Sequence, residues 1–210
     1  MGGFFEKSLR EIVESSASSS PIPGGGSVSA IVACLGVAMT SMVCNLTVGK
    51  EKYRDVELLV KEIRDSASSL RTRLEELVEE DMAEFNKFMA AYRLPRGTGA
   101  ECATREEALQ RALRGSTEKP LEIARACLRA LQLTDRLSSI GNKMAISDAG
   151  VAATVTEAAL NSVLLTAGFN IPLIKDANYT GQVTREVASL VTEAGQLKER
   201  ILAVVQKRMK

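Results

Sequence analysis

The sequence of 210 residues contains no histidine and no tryptophan, and aromatic side chains make up only 4% of it. Without histidine the chain cannot build a Ser-His-Asp or Cys-His nucleophile or a histidine zinc site, so acid–base chemistry falls to Asp, Glu, Lys, Tyr or Cys. So few aromatic side chains argue against a base-stacking platform for nucleic acid. The charge is also nearly balanced, with 27 basic and 26 acidic residues and a net charge of +1. This balance argues against nucleic acid as the main partner.

The four cysteines form no C-x-x-C pair, and their spacing matches neither a zinc ribbon nor a redox motif. We therefore expect no metal site, and we expect free thiols that pack as small apolar side chains. Reduced cysteines and the lack of a signal peptide together predict a cytoplasmic protein.

Helical periodicity runs through the sequence, without a period-two strand pattern or an internal repeat. It predicts an all-α fold, a single-domain bundle of about six to seven helices over residues 1–210. An apolar seam in steps of four and three from Val56 to Tyr92, ended by Pro95 and Gly97, predicts one long central helix. That helix would be about 55 Å long, whereas a compact domain of this size is about 43 Å across. It must therefore kink or be covered by a second copy of the chain, and we favour a homodimer.

Breaks in the pattern set the remaining helix boundaries. A capping box at Thr104–Glu107 predicts a helix that ends near Gly115, and Pro120 predicts the start of another that runs to about Ser138. Gly141-Asn142 interrupts the chain again. A nearly uncharged helix then follows, capped by Ser147 or Asp148 and ending before Pro172, and a last amphipathic helix completes the domain.

The stretch from Ser15 to Gly49 contains no charged residue. Its apolar part, from about Val28 to Val48, is long enough to span a membrane. Small polar residues are scattered around this helix, however, and such a helix is equally typical of the centre of a soluble bundle. Because the rest of the chain is amphipathic, we favour the buried interpretation and expect no membrane association.

Asp81 interrupts the apolar seam of the long helix, where its neighbours are Leu77, Val78, Phe85 and Phe88. Burial disfavours an ionised carboxylate and raises its pKa, which suits a general acid–base in a chain without histidine. The alternative is a slightly shifted seam, in which Asp81 lies at the edge of the stripe and is solvated.

Three other polar features are candidates for ligand binding. Free N–H groups at Gly24, Gly25, Gly26 and Ser27 resemble an anion-binding helix start, although a flexible linker explains the same composition and no Walker A lysine follows. The second feature is the cationic group after the uncharged helix, which includes Lys50 and Tyr53. It complements the negative helix end or binds an anionic substrate tail. The third is the polar cluster of Asn142, Ser147 and Asp148.

Short motifs along the chain carry a family resemblance: Pro23-Gly24-Gly25-Gly26-Ser27, Asn45-Leu46-Thr47, Gly49-Lys50-x-Lys52-Tyr53, Glu80-Asp81-x-x-x-Phe85-Asn86, Tyr92-x-Leu94-Pro95, Pro120-Leu121-x-Ile123-Ala124, Gly141-Asn142, Ser147-Asp148-x-x-Val151-Ala152-Ala153 and Ile174-Lys175-Asp176. In this order, and over nearly the whole chain, the sequence resembles the formimidoyltetrahydrofolate cyclodeaminase / methenyltetrahydrofolate cyclohydrolase family. The resemblance implies an all-helical homodimer with active sites near the subunit interface, acting on a one-carbon unit carried by tetrahydrofolate.

The resemblance also implies roles for particular residues. The family's acid–base aspartate falls on Asp81. Gly24, Gly25, Gly26 and Ser27 would hold part of the folate, Lys50 would meet its glutamate tail, and the remaining substrate contacts would come from Tyr53, Asn142, Asp148 and Asn170. The sequence departs from the family pattern at Thr166 and Ser162, where the family usually has asparagine and glycine.

We expect a cyclohydrolase, because the chain lacks the transferase domain that would supply formimino-folate in the bifunctional members. The alternatives are a formimidoyltetrahydrofolate cyclodeaminase that releases ammonia, and a non-catalytic helical folate-binding protein. The methenyl group is already an electrophilic cation, so we expect no cofactor beyond the folate substrate and no metal.

Overall fold

The computed structural model describes residues 3–210, and in that range every regular element is helical. Six α-helices follow one another along the chain: α1 (Leu9–Ser16), α2 (Gly25–Asn45), α3 (Glu57–Tyr92), α4 (Gly99–Ile140), α5 (Ile146–Asn170) and α6 (Ala177–Met209). Short 3₁₀ segments connect several of them. The prediction of an all-helical single-domain bundle is confirmed.

Helix α2 packs between α3 and α5, with one side buried in the bundle and Leu35 exposed on the other. Its glycine and hydroxyl side chains let neighbouring helices approach closely. A Cβ atom on Gly36 would lie 2.2 Å from Oγ1 of Thr156 on α5, and the Thr40 hydroxyl is 2.7 Å from that of Thr134 on α4. The small polar residues of α2 therefore serve helix packing, as the buried interpretation of this segment predicts.

Two helical segments, Gly25–Asn45 and Lys143–Leu173, are long and apolar enough to cross a membrane by length and composition. About half of an 18-residue apolar stretch in each segment, 56% and 50%, is buried against the rest of the protein. Central helices of soluble bundles show the same combination.

Helix α3 follows the predicted seam closely. Its apolar side chains are buried from Val60 to Val78, and the stripe then continues through Asp81, Phe85 and Phe88, which are half-buried. The change in burial shows that the seam leaves the core at Asp81 and enters a cleft.

Helix α4 is one helix of 42 residues, so the prediction of two helices separated between Gly115 and Pro120 is wrong. The predicted cap at Thr104 is also wrong. The capping box is formed by Thr98 and Glu101, with the Glu101 carboxylate accepting from the Thr98 N–H at 2.8 Å. Gly115 lies within this helix, and it leaves room there for the Glu84 carboxyl group, whose Oε2 would be 2.1 Å from a Cβ atom at this position.

Helix α4 packs against α3 and is longer than it. The long helix α3 therefore already has a packing partner within the same chain. The length of α3 therefore does not itself require a kink or a second copy.

The predicted break at Gly141-Asn142 is confirmed, but the cap after it differs from the expectation. Helix α5 begins at Ile146, and neither Ser147 nor Asp148 caps it. Instead the Asn142 side chain accepts from the Met144 N–H at 3.1 Å and caps a short 3₁₀ turn that leads into α5. Helix α5 ends at Asn170, before Pro172, as predicted.

Candidate active site

A cleft of about 400 Å³ opens where the start of α2, the middle of α3, the middle of α4 and the end of α5 meet. Its walls are mostly apolar, with a few polar groups that converge on one side. The lining residues are Pro21, Ile22, Gly24, Gly25, Gly26, Ser27, Asp81, Met82, Phe85, Phe88, Ser116, Pro120, Leu165, Thr166, Phe169 and Asn170.

Asp81 projects from α3 onto the first turn of α2. The Ser27 hydroxyl donates to its Oδ2 at 2.7 Å, and the backbone N–H of Ser27 also favours the ionised form of this carboxyl group. Gly26 makes this approach possible, because a Cβ atom there would lie 2.6 and 2.7 Å from the two carboxyl oxygens. At least one free N–H group of this helix start, that of Ser27, thus acts on a carboxylate of the protein itself.

Burial in the cleft raises the pKa of the Asp81 carboxyl above its ordinary value, since desolvation disfavours the charged form. The hydroxyl and the backbone N–H of Ser27 oppose this rise, but they are the smaller effect. Asp81 is therefore a carboxyl group that gains and loses its proton closer to neutrality than an exposed aspartate does.

Glu80, the preceding residue, lies in the opposite electrostatic environment. Arg73 and Lys119 each lie within hydrogen-bond distance of its carboxylate, at 2.5 and 2.8 Å, and these partners lower the pKa of Glu80 to about 2. Arg73 and Lys119 also contact Glu122, which ties α3 to α4 beside the cleft. No cation of this network hydrogen-bonds Asp81, so only the half-buried aspartate is suited to proton transfer.

Asn170 has a structural contact that explains its place in the wall. Pro120 has no N–H, so it cannot donate to the Ser116 carbonyl one turn earlier in α4. The Asn170 side chain, from the end of α5, donates to that carbonyl at 3.0 Å. Asn170 thereby fixes the end of α5 against α4 at the floor of the cleft.

The cleft brings together six of the predicted site residues: Gly24, Gly25, Gly26, Ser27, Asp81 and Asn170. The other four, Lys50, Tyr53, Asn142 and Asp148, are absent from its lining. They follow the opposite end of α2 or begin α5, and the 21 residues of α2 place about 30 Å between its two ends.

Asn142 and Tyr53 form a hydrogen-bonded contact between two segments of the chain. The Tyr53 hydroxyl donates to Oδ1 of Asn142 at 3.3 Å and accepts from the Lys143 N–H at 2.9 Å. Nδ2 of Asn142 donates to the Leu46 carbonyl at 2.8 Å. These bonds connect the end of α2 to the start of α5, and the roles of Lys50, Tyr53, Asn142 and Asp148 toward a substrate stay predictions.

Several wall residues were not identified as site residues from sequence. Phe85 and Phe88 fit the apolar seam and were indistinguishable from core, while Ser116 and Leu165 belong to none of the motifs found in the sequence. Thr166, a departure from the family pattern, does line the cleft. Its methyl carbon would be 3.3 Å from a Cβ atom on Gly25. Ser162, the other departure, is exposed on α5 and does not line it.

Among residues 3–210, no group of three or more Cys, Asp or Glu side chains is arranged to hold a metal ion. The cleft instead offers one proton-transfer group, a hydroxyl that orients it, and apolar and aromatic surface for a flat organic ligand.

Comparison with known proteins places this architecture in a family. The chain is 36% identical, over 203 residues, to the methenyltetrahydrofolate cyclohydrolase of Methylorubrum extorquens, covering 97% of this chain and 98% of that protein. It is 29% identical to the formimidoyltransferase-cyclodeaminase of Gallus gallus, of which it covers only 38%.

Among solved structures, the formiminotetrahydrofolate cyclodeaminase of Thermotoga maritima matches with a TM-score of 0.87 and 26% identity, covering 97% of this chain and 98% of that one. The sequence profile of the formiminotransferase-cyclodeaminase family matches residues 8–189. The chain therefore belongs to the formiminotransferase-cyclodeaminase family.

Proposed function

We propose that this chain is a methenyltetrahydrofolate cyclohydrolase, which converts 5,10-methenyltetrahydrofolate and water to 10-formyltetrahydrofolate. The relative from Methylorubrum extorquens that carries this name matches over nearly the full length of both chains. The observation that carries the chemistry is the half-buried Asp81 carboxyl, which has a raised pKa and lies in a largely apolar cleft.

The reaction needs a group that moves protons at one carbon. Water adds to the cationic methenyl carbon and loses a proton, which gives a neutral tetrahedral centre. The bond from this carbon to N5 then breaks as the hydroxyl becomes the formyl carbonyl, N5 gains a proton, and one proton is released overall. Asp81 accepts the proton from water and delivers one to N5, as a general base and then a general acid.

Ser27 acts through Asp81 in this scheme. Its hydroxyl donates to Oδ2 at 2.7 Å and keeps the carboxyl group in one orientation toward the cleft. Because the methenyl carbon is already electrophilic, the proposed reaction requires no cofactor beyond the folate and no metal ion. The roles of Gly24, Gly25, Gly26 and Asn170 in holding the folate belong to the same proposal, since all four line the cleft.

A cyclodeaminase is the second candidate. The similar Thermotoga maritima structure carries that name, and the same aspartate would serve the attack of a folate nitrogen on a formimino carbon with loss of ammonia. The chain spans only 38% of the Gallus gallus protein, so the activity of that whole protein is not transferred.

Assays of the purified protein with both folates separate these candidates. Loss of methenyltetrahydrofolate absorbance, followed in a buffer where the uncatalysed reaction is slow, would support the cyclohydrolase. Ammonia release from formiminotetrahydrofolate alone would support the cyclodeaminase, and turnover of neither would contradict both. Folate binding without turnover would instead favour the non-catalytic alternative.

We also propose that the protein is a homodimer with its sites near the interface, built on the outer face of α2 and α5. Helix α2 has no charged residue, yet Leu35 is 59% exposed, and α5, which packs against α2, exposes Val151, Leu165 and Phe169. A second copy of the same uncharged face is the occupant that this surface fits.

A two-fold axis perpendicular to α2, near its middle, would place the two α2 helices antiparallel. Lys50 and Tyr53 of the partner subunit would then lie toward the cleft instead of about 30 Å from it. This arrangement gives the four predicted residues outside the cleft a way to reach a substrate. A cytoplasmic location, with neither nucleic acid nor membrane as a partner, stays a prediction from the sequence.

A further inference from the structure

An aromatic track runs along α3 from the candidate catalytic group toward solvent. Asp81, Phe85, Phe88 and Tyr92 follow one another in steps of four, three and four, so they share one face of the helix. The ring centroids of Phe85 and Phe88 are 6.5 Å apart, and those of Phe88 and Tyr92 are 6.2 Å apart with 29° between the planes. The first two rings line the cleft, and Tyr92 is 56% exposed.

The track ends at a guanidinium group. Cζ of Arg105, on α4, lies 5.1 Å from the centroid of the Tyr92 ring, and its Nε donates to the Tyr92 carbonyl at 3.1 Å. Only Nε of the guanidinium is engaged in a hydrogen bond with residues 3–210, which leaves the N–H groups of its two terminal nitrogens available to a ligand.

Arg105 forms no ion pair with a carboxylate of residues 3–210, although acidic residues are close by in sequence. Glu101 is occupied by the N–H groups of Gly97 and Thr98, at 2.8 Å each, and Glu106 pairs with Lys175 at 2.6 Å. A cation placed by an aromatic ring, with its local carboxylates engaged elsewhere, is suited to an external carboxylate.

The dimensions of the track fit a folate. Eleven residues separate Asp81 from Tyr92, which is about 16 Å along the helix. From the reacting carbon of a folate, the aminobenzoyl ring and amide extend roughly 10 Å to the first glutamate at standard bond lengths. The glutamate residues of the substrate extend across the remaining distance, so the carboxylates of the first or second glutamate come within reach of the guanidinium beside Tyr92.

We infer that Arg105 binds the glutamate carboxylates of the substrate, with the aminobenzoyl ring lying along Phe85 and Phe88. This inference rests on the proposed folate chemistry, and it states which residues contact the aminobenzoyl ring and which contact the glutamate tail. It assigns the tail to a residue of the same chain, whereas Lys50 reaches the tail only from a partner subunit.

Steady-state kinetics with three methenyl substrates test the inference: the tetrahydropteroate without glutamate, the monoglutamate and the triglutamate. Arg105→Ala should raise KM for the triglutamate at least about tenfold and leave KM for the pteroate unchanged, because a lost charge-assisted hydrogen bond costs about that much. The kcat should stay constant for all three, and Arg105→Lys should recover part of the loss. Phe88→Leu should raise KM for all three substrates, since each contains the aminobenzoyl ring.

Arg129→Ala is the matched control, because Arg129 is an exposed arginine on α4 outside the cleft lining and should change none of these constants. An equal rise in KM for all three substrates in Arg105→Ala would overturn the inference and leave Arg105 only a support for Tyr92. Unchanged constants would also overturn it. Turnover by the unaltered protein tests the proposed function separately, because the pteroate needs no tail contact.

Discussion

At the scale of single residues, desolvation and hydrogen bonding act in opposite directions on the pKa of Asp81. The cleft raises the pKa of this carboxyl, while the hydroxyl and N–H groups of Ser27 stabilise its ionised form and limit the rise. A general base must be ionised to accept a proton, so the acidic limb of the pH–rate profile should report this pKa.

Replacement of Ser27 by alanine should move that acidic limb to higher pH. The change removes the hydroxyl that favours the charged carboxylate and leaves the backbone N–H in place, so the pKa of Asp81 rises further. The measurement is the pH dependence of kcat for methenyltetrahydrofolate. Ser29→Ala is the control, because the Ser29 hydroxyl donates to the Gly25 carbonyl within α2 and does not contact Asp81. A limb that stays in place, or moves to lower pH, would contradict this account.

The same raised pKa predicts that removal of the Asp81 carboxyl stabilises the fold, although this change should slow the reaction. A carboxyl whose pKa is higher in the folded state destabilises the fold once the pH exceeds its unfolded pKa. Asp81→Asn should therefore increase the free energy of unfolding at neutral pH, and this gain should vanish at a pH below the ordinary aspartate range. Urea denaturation at both pH values measures it, and a gain independent of pH would contradict the electrostatic cause.

Asp81 could be identified from sequence because it breaks an apolar seam, and the family resemblance selects the same residue. The contact made by Asn170 could not be predicted, because it depends on a carbonyl of another helix that Pro120 leaves without a donor. Phe85 and Phe88 could not be identified as site residues for a different reason, because helical periodicity does not distinguish a cleft wall from a core.

At the scale of elements, the boundaries of α3 and the end of α5 follow from local patterns, but α4 does not. By local preference Gly115 indicates the end of a helix and Pro120 indicates the start of the next. In the folded protein Gly115 accommodates the Glu84 side chain, and Asn170 satisfies the carbonyl that Pro120 leaves free. Tertiary contacts thus override local preference in α4.

A double-mutant cycle tests this compensation. Asn170→Ala should destabilise the protein by about 1–3 kcal/mol, because it leaves the Ser116 carbonyl without its partner. Pro120→Ala supplies an N–H group for the same carbonyl, so Asn170→Ala should cost measurably less in that background. Urea denaturation of the four proteins gives the coupling, and strictly additive effects would show that Asn170 does not compensate for the proline.

At the scale of the whole molecule, the uncharged face of α2 and α5 connects fold and site. Leu165 and Phe169 line the cleft and are each 76% exposed, so one wall of the site lies on the surface proposed for dimerisation. The sequence predicts a long uncharged segment, but only the packed bundle distinguishes its buried side from its exposed one.

A charge on this face should separate the subunits. Leu35→Glu puts a carboxylate in the middle of the proposed interface, where its desolvation opposes association. Light scattering coupled to size-exclusion chromatography should show a dimer for the unaltered protein and a monomer for the variant. Val191→Glu, on α6 and 41% exposed, is the matched control and should stay dimeric. A dimer that persists in Leu35→Glu would place the interface elsewhere.

The most direct test of the whole account is the turnover of methenyltetrahydrofolate by Asp81→Asn. Asparagine keeps the size of the side chain and an acceptor for Ser27, but it cannot take up a proton at neutral pH. If Asp81 transfers the protons of the reaction, kcat should fall about a hundredfold to ten-thousandfold, with KM changed little. A variant that turns over the folate as fast as the unaltered protein would show that the proton moves through another group.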